Sequence, residues 1–280
     1  MGFSAKVLAD SVSPAGHRLT TLEVTMPRIV LAEFNTHRMF SRSSASSRAI
    51  PVEKRIAMVE EDPFIPEAFG RNQRGMQASE VLDDKLTLKA REIWLEAARD
   101  ACAWAKGLAD IKVHKQLANR LLEPFCWHTV IVTATEWGNF WGLRISKYAQ
   151  PEIAKPAALM KEAMDASSPK LVGYGEWHLP LTPDYEKLCE SNFTPRQIAE
   201  ISAARCARVS YLTHDGNRDP EADHELYARL VEPGHMAPLE HVATPCTQKL
   251  EHDFVGNFCG WFQLRKTISN EQDFSLRPKE

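Results

Sequence analysis

Between His37 and Arg48 the chain sets His37, Arg38, Arg42 and Arg48 among Ser41, Ser43, Ser44, Ser46 and Ser47. Guanidinium groups present a planar fork to phosphate oxygens and hydroxyls donate short hydrogen bonds, so this mixture suits a phosphomonoester. A flexible Ser/Arg loop is the simpler alternative. The direct junction with the apolar run "RIVLAEF" favours a folded anion site. Ser46 reads as a contact and not a nucleophile, because no adjacent base would activate it.

Two further arginines lie in apolar surroundings. Arg120 stands between Leu117-Ala118 and Leu121-Leu122, and Arg144 follows Phe140, Trp141 and Leu143. A charge in such a place needs a partner or an anionic ligand, and for either alone a carboxylate is the commoner answer. No obvious carboxylate partners Arg48 or Arg120 at helical spacing, which leaves both available for a phosphate. The segment Gly234-His235-Met236-Ala237-Pro238-Leu239-Glu240-His241 brings two histidines and a carboxylate together after a helix stop. Histidines six apart do not share a helix face and no cysteine is near, so no metal site is expected.

The elements that must position these groups follow from pattern. "AKVLADSV" and "HRLTTLEVTM" flank Pro14-Ala15-Gly16 and predict a hairpin ending at Pro27, with a helix over 28–34. Residues 52–75 read as a surface excursion. Leu82, Leu86, Ala90, Ile93, Trp94, Ala97, Ala101 and Ala105 predict a helix over 79–109 with these residues inward. A second helix over 116–122 is expected to stop before Pro124. The β-branched run "WHTVIVTATE" predicts a buried strand, feeding a helix from about Glu136 that Pro151 and Pro156 kink or break. Residues 173–183 read as a loop. Thr194-Pro195 and Asp219-Pro220 each pair an N-cap with a first-turn proline, and Pro233-Gly234 ends the later helix. These elements predict one α+β domain spanning 1–280, a mainly antiparallel sheet packed with several long helices.

Composition narrows the function classes. The 280 residues are 44% hydrophobic and 25% charged, enough to bury a core, and the net charge of −3 disfavours a nucleic acid polymer as partner. No apolar run approaches the roughly 20 residues of a membrane span, and the opening residues lack the apolar core of a secretory signal. A cytoplasmic location without membrane contact is expected. The six cysteines show no Cys-x-x-Cys spacing and read as reduced, mostly core residues.

Three blocks together resemble the flavin-dependent thymidylate synthases. "THRMFSRSSASSR" resembles that family's Arg-His-Arg motif through His37, Arg38, Ser46 and Arg48. "NRLLEPF" with "TATEWGNFWGLRISKYAQPEI" is similar to a later block through Arg120, Pro124, Asn139, Phe140, Leu143, Arg144, Gln150 and Glu152. "AARCARVSY" with "ELYARLVEPGHMAPLEH" looks like the family's opening block through Ala207-Arg208-Val209-Ser210, Gly234-His235, Pro238 and Glu240-His241. Here that opening block comes last, so the resemblance implies a circular permutation. Thr36 stands where the motif has its first Arg, Ser43 and Ser44 where it has Asn and Glu, and Glu33 near its usual Gln. A weak second copy, "GWFQLRKTISNEQDFSLR", keeps Arg265, Asn270 and Glu271 and could supply the missing groups.

The resemblance implies transfer of a one-carbon unit from methylene-tetrahydrofolate to C5 of a pyrimidine deoxynucleotide, dUMP to dTMP. It implies FAD as cofactor, NADPH and the folate as co-substrates, and a homotetramer with active sites between subunits. Arg144 would be catalytic. Glu33, Ser44, Ser46, Arg48, Arg120 and Arg144 would hold the nucleotide, and His37, Arg38, Thr133, Thr135, Asn139, His235 and Ala237 the flavin. Two alternatives stand beside it: C5 hydroxymethylation of dUMP or dCMP on the same fold, and a non-catalytic nucleotide-binding or assembly protein without flavin.

Overall fold

A computed structural model describes residues 2–75, 78, 80–211, 219–247, 255–269, 271–273 and 275. Five strands, β1 (Ser4–Val12), β2 (Arg18–Pro27), β3 (Ser41–Ser44), β4 (Trp127–Ala134) and β5 (Lys170–Leu171), form a sheet in the order β3-β4-β2-β1-β5. Every neighbouring pair is antiparallel except β1 with the two-residue β5. The β1–β2 hairpin turns where the sequence predicts it: Gly16 has φ +87°, and its N–H donates to Ser13 O at 2.9 Å.

Alternation along β2 and β4 gives the sheet two different faces. Leu22, Val24, Met26, Val130, Val132 and Ala134 turn to one side and are fully buried against Phe34, Phe140, Ile153 and Met160. Each of the larger side chains among these is worth about 1.5–3 kcal/mol of burial. The other side carries hydroxyls. Cross-strand neighbours Thr21 and Thr133 share a hydrogen bond of 2.7 Å, and Thr25 and Thr129 one of 2.9 Å.

Nine helices accompany the sheet among the described residues: α1 (Leu31–Asn35), α2 (Val52–Glu61), α3 (Asp84–Asp110), α4 (Lys115–Ala118), α5 (Gly138–Arg144), α6 (Pro151–Asp165), α7 (Tyr185–Glu190), α8 (Pro195–Ala207) and α9 (Pro220–Val231). α6 supplies Ile153, Ala157 and Met160 to the apolar face. Ahead of α8, Thr194 forms a full capping box with Gln197, and ahead of α9, Asp219 accepts from the N–H groups of Glu221 and Ala222. A buried ion network joins the two helices. Asp223 takes Arg205 Nε at 2.8 Å and Arg208 Nε at 2.6 Å, while Arg205 also reaches Asp184 at 2.6 Å. A second, two-stranded sheet pairs β6 (Ala243–Pro245) with β7 (Trp261–Gln263).

Several sequence expectations are corrected. Residues 52–75 are not only a surface excursion, because Val52, Arg55 and Val59 recur at helical spacing and bury one face of α2 against α3. α3 begins at Asp84 behind an N-cap at Asp83, whose carboxylate accepts from Leu86 N, and the predicted start at Ser79 lies outside the described residues. Its buried residues are Ala98, Cys102 and Ala105, whereas Leu86, Ile93 and Ala97 face outward. An apolar helical repeat does not say which stripe meets the core. The helix expected at 116–122 is α4 followed by a 3-10 turn over Asn119–Phe125 that runs through Pro124. The expected break falls between α5 and α6, where Pro151 opens a separate helix at its first turn, the position where a missing N–H costs least, whereas Pro156 lies inside α6 without ending it.

Candidate functional site

The short α1 and the turn after it carry the first group of predicted residues. His37 is buried, edge-on to Phe140 with ring centroids 4.8 Å apart and tilted over Phe40. Its Nε2 accepts from Arg144 Nε at 2.9 Å, which fixes the proton of the neutral ring on Nδ1. Burial, then the charges of Arg144 and Arg42, push the His37 pKa down to about 4. Arg144 Nη2 donates to Glu33 O and to Thr36 Oγ1, each at 3.3 Å. Arg42 donates to the carbonyls of Phe34, Asn35 and His37, closing the exposed end of α1. Arg42 therefore holds the loop that presents His37.

A second group forms around Glu123. Its carboxylate takes Arg28 Nη2 at 2.9 Å, Arg120 Nη1 at 2.8 Å and the Ser47 hydroxyl. Burial opposes its charged form, but Ser47 and the two guanidiniums hold its pKa below the ordinary range. Asn119 Nδ2 donates to the carbonyls of Ser47 and Ile50 and ties the Ser46–Arg48 turn to the segment carrying Arg120. The expectation that Arg120 lacks a carboxylate at helical spacing is corrected: Glu123, three residues on, is its partner. Arg120 stays 57% exposed on its side chain, Arg48 is exposed, and an open pocket of about 440 Å³ lies between α1 and Arg28, Arg120 and Glu123. Sequence reasoning missed Arg28, Asn119 and Glu123; the last was readable as the acidic residue three positions after Arg120.

The third group joins the two ends of the chain. Ser11, His178, Thr21, Thr133, His241 and Ser43 form one unbroken hydrogen-bonded chain with successive distances of 2.7, 2.8, 2.7, 2.8 and 3.0 Å. Both histidines are fully buried, and burial drives each pKa to about 3. Thr133 is thus committed to protein partners, and Thr135 Oγ1 accepts from Cys259 N at 3.0 Å. Gln263 and Asn257 bond Ser41, and Asn257 also donates to Met39 O. Arg265 pairs with Glu240 and Glu271. Asn270 lies outside the described residues. Arg38, Asn139, His235 and Ala237 are exposed, while Ser44 and Ser46 are half-buried at and just after β3. Among the described residues no cluster of three His, Cys, Asp or Glu gathers, and no helix is long and apolar enough to cross a membrane.

Residues 6–170, more than half of the chain, match the sequence model of the thymidylate synthase complementing protein family. The chain belongs to that family. These are the flavin-dependent thymidylate synthases that the motif blocks resemble, and their match runs from β1 through β5, taking in the His37–Arg144 pair and the Arg120–Glu123 group. Residues 171–280, including α8, α9 and the histidine-bearing turn at 237–241, lie beyond it. Two solved structures of the UMP/dUMP methylase PolB from Streptomyces cacaoi, one bound with 5-Br dUMP and one with 5-Br UMP, are similar in fold. They are 15% and 16% identical, each with a TM-score of 0.48, and the alignments cover 58% of this chain and 90% and 88% of theirs. No curated protein sequence matches this chain.

Proposed function

We propose that this chain transfers a one-carbon unit from methylene-tetrahydrofolate to C5 of a pyrimidine deoxynucleotide monophosphate, dUMP to dTMP, with FAD as cofactor and NADPH as reductant. The observation that carries this reading is the company kept by Arg144. Its guanidinium bonds a neutral imidazole, a carbonyl and a hydroxyl, and among the described residues it has no carboxylate partner. A half-buried cation held only by neutral groups is arranged to meet negative charge arriving with a ligand or developing in a pyrimidine ring. Glu33, whose backbone receives Arg144, also holds a buried carboxylate oxygen, Oε2, without a hydrogen-bond partner.

The residues present fit a flavin. Arg38 and Asn139 are exposed, flanking His37 and its partner Phe140 in sequence, and offer the cationic and amide donors that a pyrophosphate and a polar ring edge require. When bound, FAD supplies the hydride chemistry, while the chain binds, orients and stabilises charge. Ser46, Arg48 and Arg120 would meet the monophosphate, drawn together by Asn119. The turn at 237–241 lies on β3, with His241 Nε2 3.0 Å from Ser43 Oγ. That convergence supports a circular permutation that keeps His235 and Ala237 at the flavin side of a single domain. Exposed Leu117, Leu121, Leu143 and Ile145 flank Arg120 and Arg144 and support sites completed between subunits of a homotetramer.

The test is direct. Purified protein should be yellow, with absorbance near ~370 and ~450 nm, and should convert dUMP to dTMP when given methylene-tetrahydrofolate and NADPH. Product mass separates methyl from hydroxymethyl transfer. Colourless protein that binds dUMP without turnover would overturn the reading.

A further inference from the structure

Arg55 lies on the buried face of α2 and is only 4% exposed. Among the described residues its guanidinium has no ion pair and no hydrogen bond to a protein oxygen; its one hydrogen-bond partner is the sulfur of Cys126. Burial raises the Cys126 pKa and lowers that of nearby His128 to about 3, so the first stays a thiol and the second a neutral imidazole. Neither supplies a counter-charge. Arg28, the other cation near His128, is already paired with Glu123.

This guanidinium opens onto a cavity of about 230 Å³ whose apolar wall is Met58, Val59, Phe125 and Trp127. On the same wall, the indole Nε1–H of Trp127 is buried without an acceptor. A buried guanidinium without an ion pair therefore borders this cavity, and leaving a buried charge without a counter-charge is costly unless a ligand supplies one. We propose that this cavity is a binding site for a monocarboxylate with a small apolar body, separate from the nucleotide site. The fork of Arg55 matches two carboxylate oxygens in a plane. The wall accepts an aromatic or short aliphatic body. A dianionic phosphate fits poorly, because one unneutralised guanidinium faces a rim that carries Glu61 and Asp62.

Benzoate is the probe, added to the full chain with its tryptophan indoles labelled with ¹⁵N. Benzoate should shift the Trp127 indole resonance saturably and raise the melting temperature, whereas inorganic phosphate at the same concentration should do neither. Arg55→Met should fold, since it removes an unpaired buried charge, and should bind benzoate at least tenfold more weakly. Arg144→Ala should keep the full benzoate response, which separates this site from the proposed transferase reading. The absence of a saturable shift, equal binding by Arg55→Met, or phosphate binding as tightly as benzoate would each overturn the proposal. So would failure of Arg55→Met to fold, which would reveal a protein partner for the guanidinium. Loss of the oligomer in that variant, with no benzoate response in the parent, would assign the cavity to a carboxylate of a second copy instead.

Discussion

Arg144 Nε donates to His37 Nε2 at 2.9 Å across 107 positions of sequence, and that bond requires the imidazole to be neutral. The pair explains how a guanidinium can be fixed in place without being neutralised. A carboxylate in the position of His37 would hold the side chain equally well but cancel the charge. An imidazole whose pKa lies near 4 orients it and leaves its charge available.

Arg144→Ala should therefore leave the fold intact and remove most turnover. Deleting it strands no buried carboxylate, so the melting temperature should stay close to that of the parent. Loss of a group that stabilises transition-state charge commonly costs about 10²-fold or more. Unchanged kcat would reject the assignment, and a collapse of stability would return Arg144 to a structural role.

Arg48→Ala and Arg120→Ala should each weaken dUMP binding far more than binding of deoxyuridine, as measured by calorimetry. Arg120 is exposed and shares Glu123 with Arg28, so its own contribution to stability is expected within about 1 kcal/mol. Equal losses for nucleotide and nucleoside would mean that these arginines act only on the loop.

Asp223→Ala should be strongly destabilising. Asp223 is almost fully buried and binds Arg205 and Arg208, and its removal leaves Arg205, itself buried, with Asp184 alone. Breaking such a network by one partner costs about 3–5 kcal/mol. Urea unfolding measures it, and a loss below about 1 kcal/mol would show that the network is not closed in solution.

The hairpin, β4, α8 and α9 were legible because their signals are local: turn residues, β-branched runs, and N-caps followed by proline. α2 was hidden by prolines and charges on either side of a helix only ten residues long. The inward stripe of α3 was misread because Leu86 and Ile93 share the helical period of its buried alanines and face outward. Motif resemblance pointed to His37, Arg144, Ser46 and Arg120 as candidates, but not to the groups that hold them. Asn119, Arg28 and Glu123 act through tertiary contacts that no spacing rule records, save Glu123 at three residues from Arg120. The histidine at 178 was read as part of a loop, yet it is fully buried and bonds Ser11 and Thr21.

That buried relay predicts how stability depends on pH. His178 and His241 are held as neutral rings with pKa about 3, whereas in the unfolded chain both titrate near ~6.5. The folded-state pKa is depressed below the unfolded value, so the unfolded state takes up protons first as pH falls. Stability is unaffected by these groups above pH ~6.5 and declines between there and about 3. Each histidine steepens that decline by ~1.4 kcal/mol per pH unit in the middle of the window. His241→Gln should therefore lower stability at pH 7, because Thr133 and Ser43 lose a matched partner, yet show a slope between pH 5.5 and 4.5 that is shallower by about that amount. Urea unfolding at those two pH values, for the parent and the variant, supplies the comparison. Parallel slopes would mean that His241 titrates normally in the folded protein, and the continuous chain from Ser11 to Ser43 would then not exist in solution.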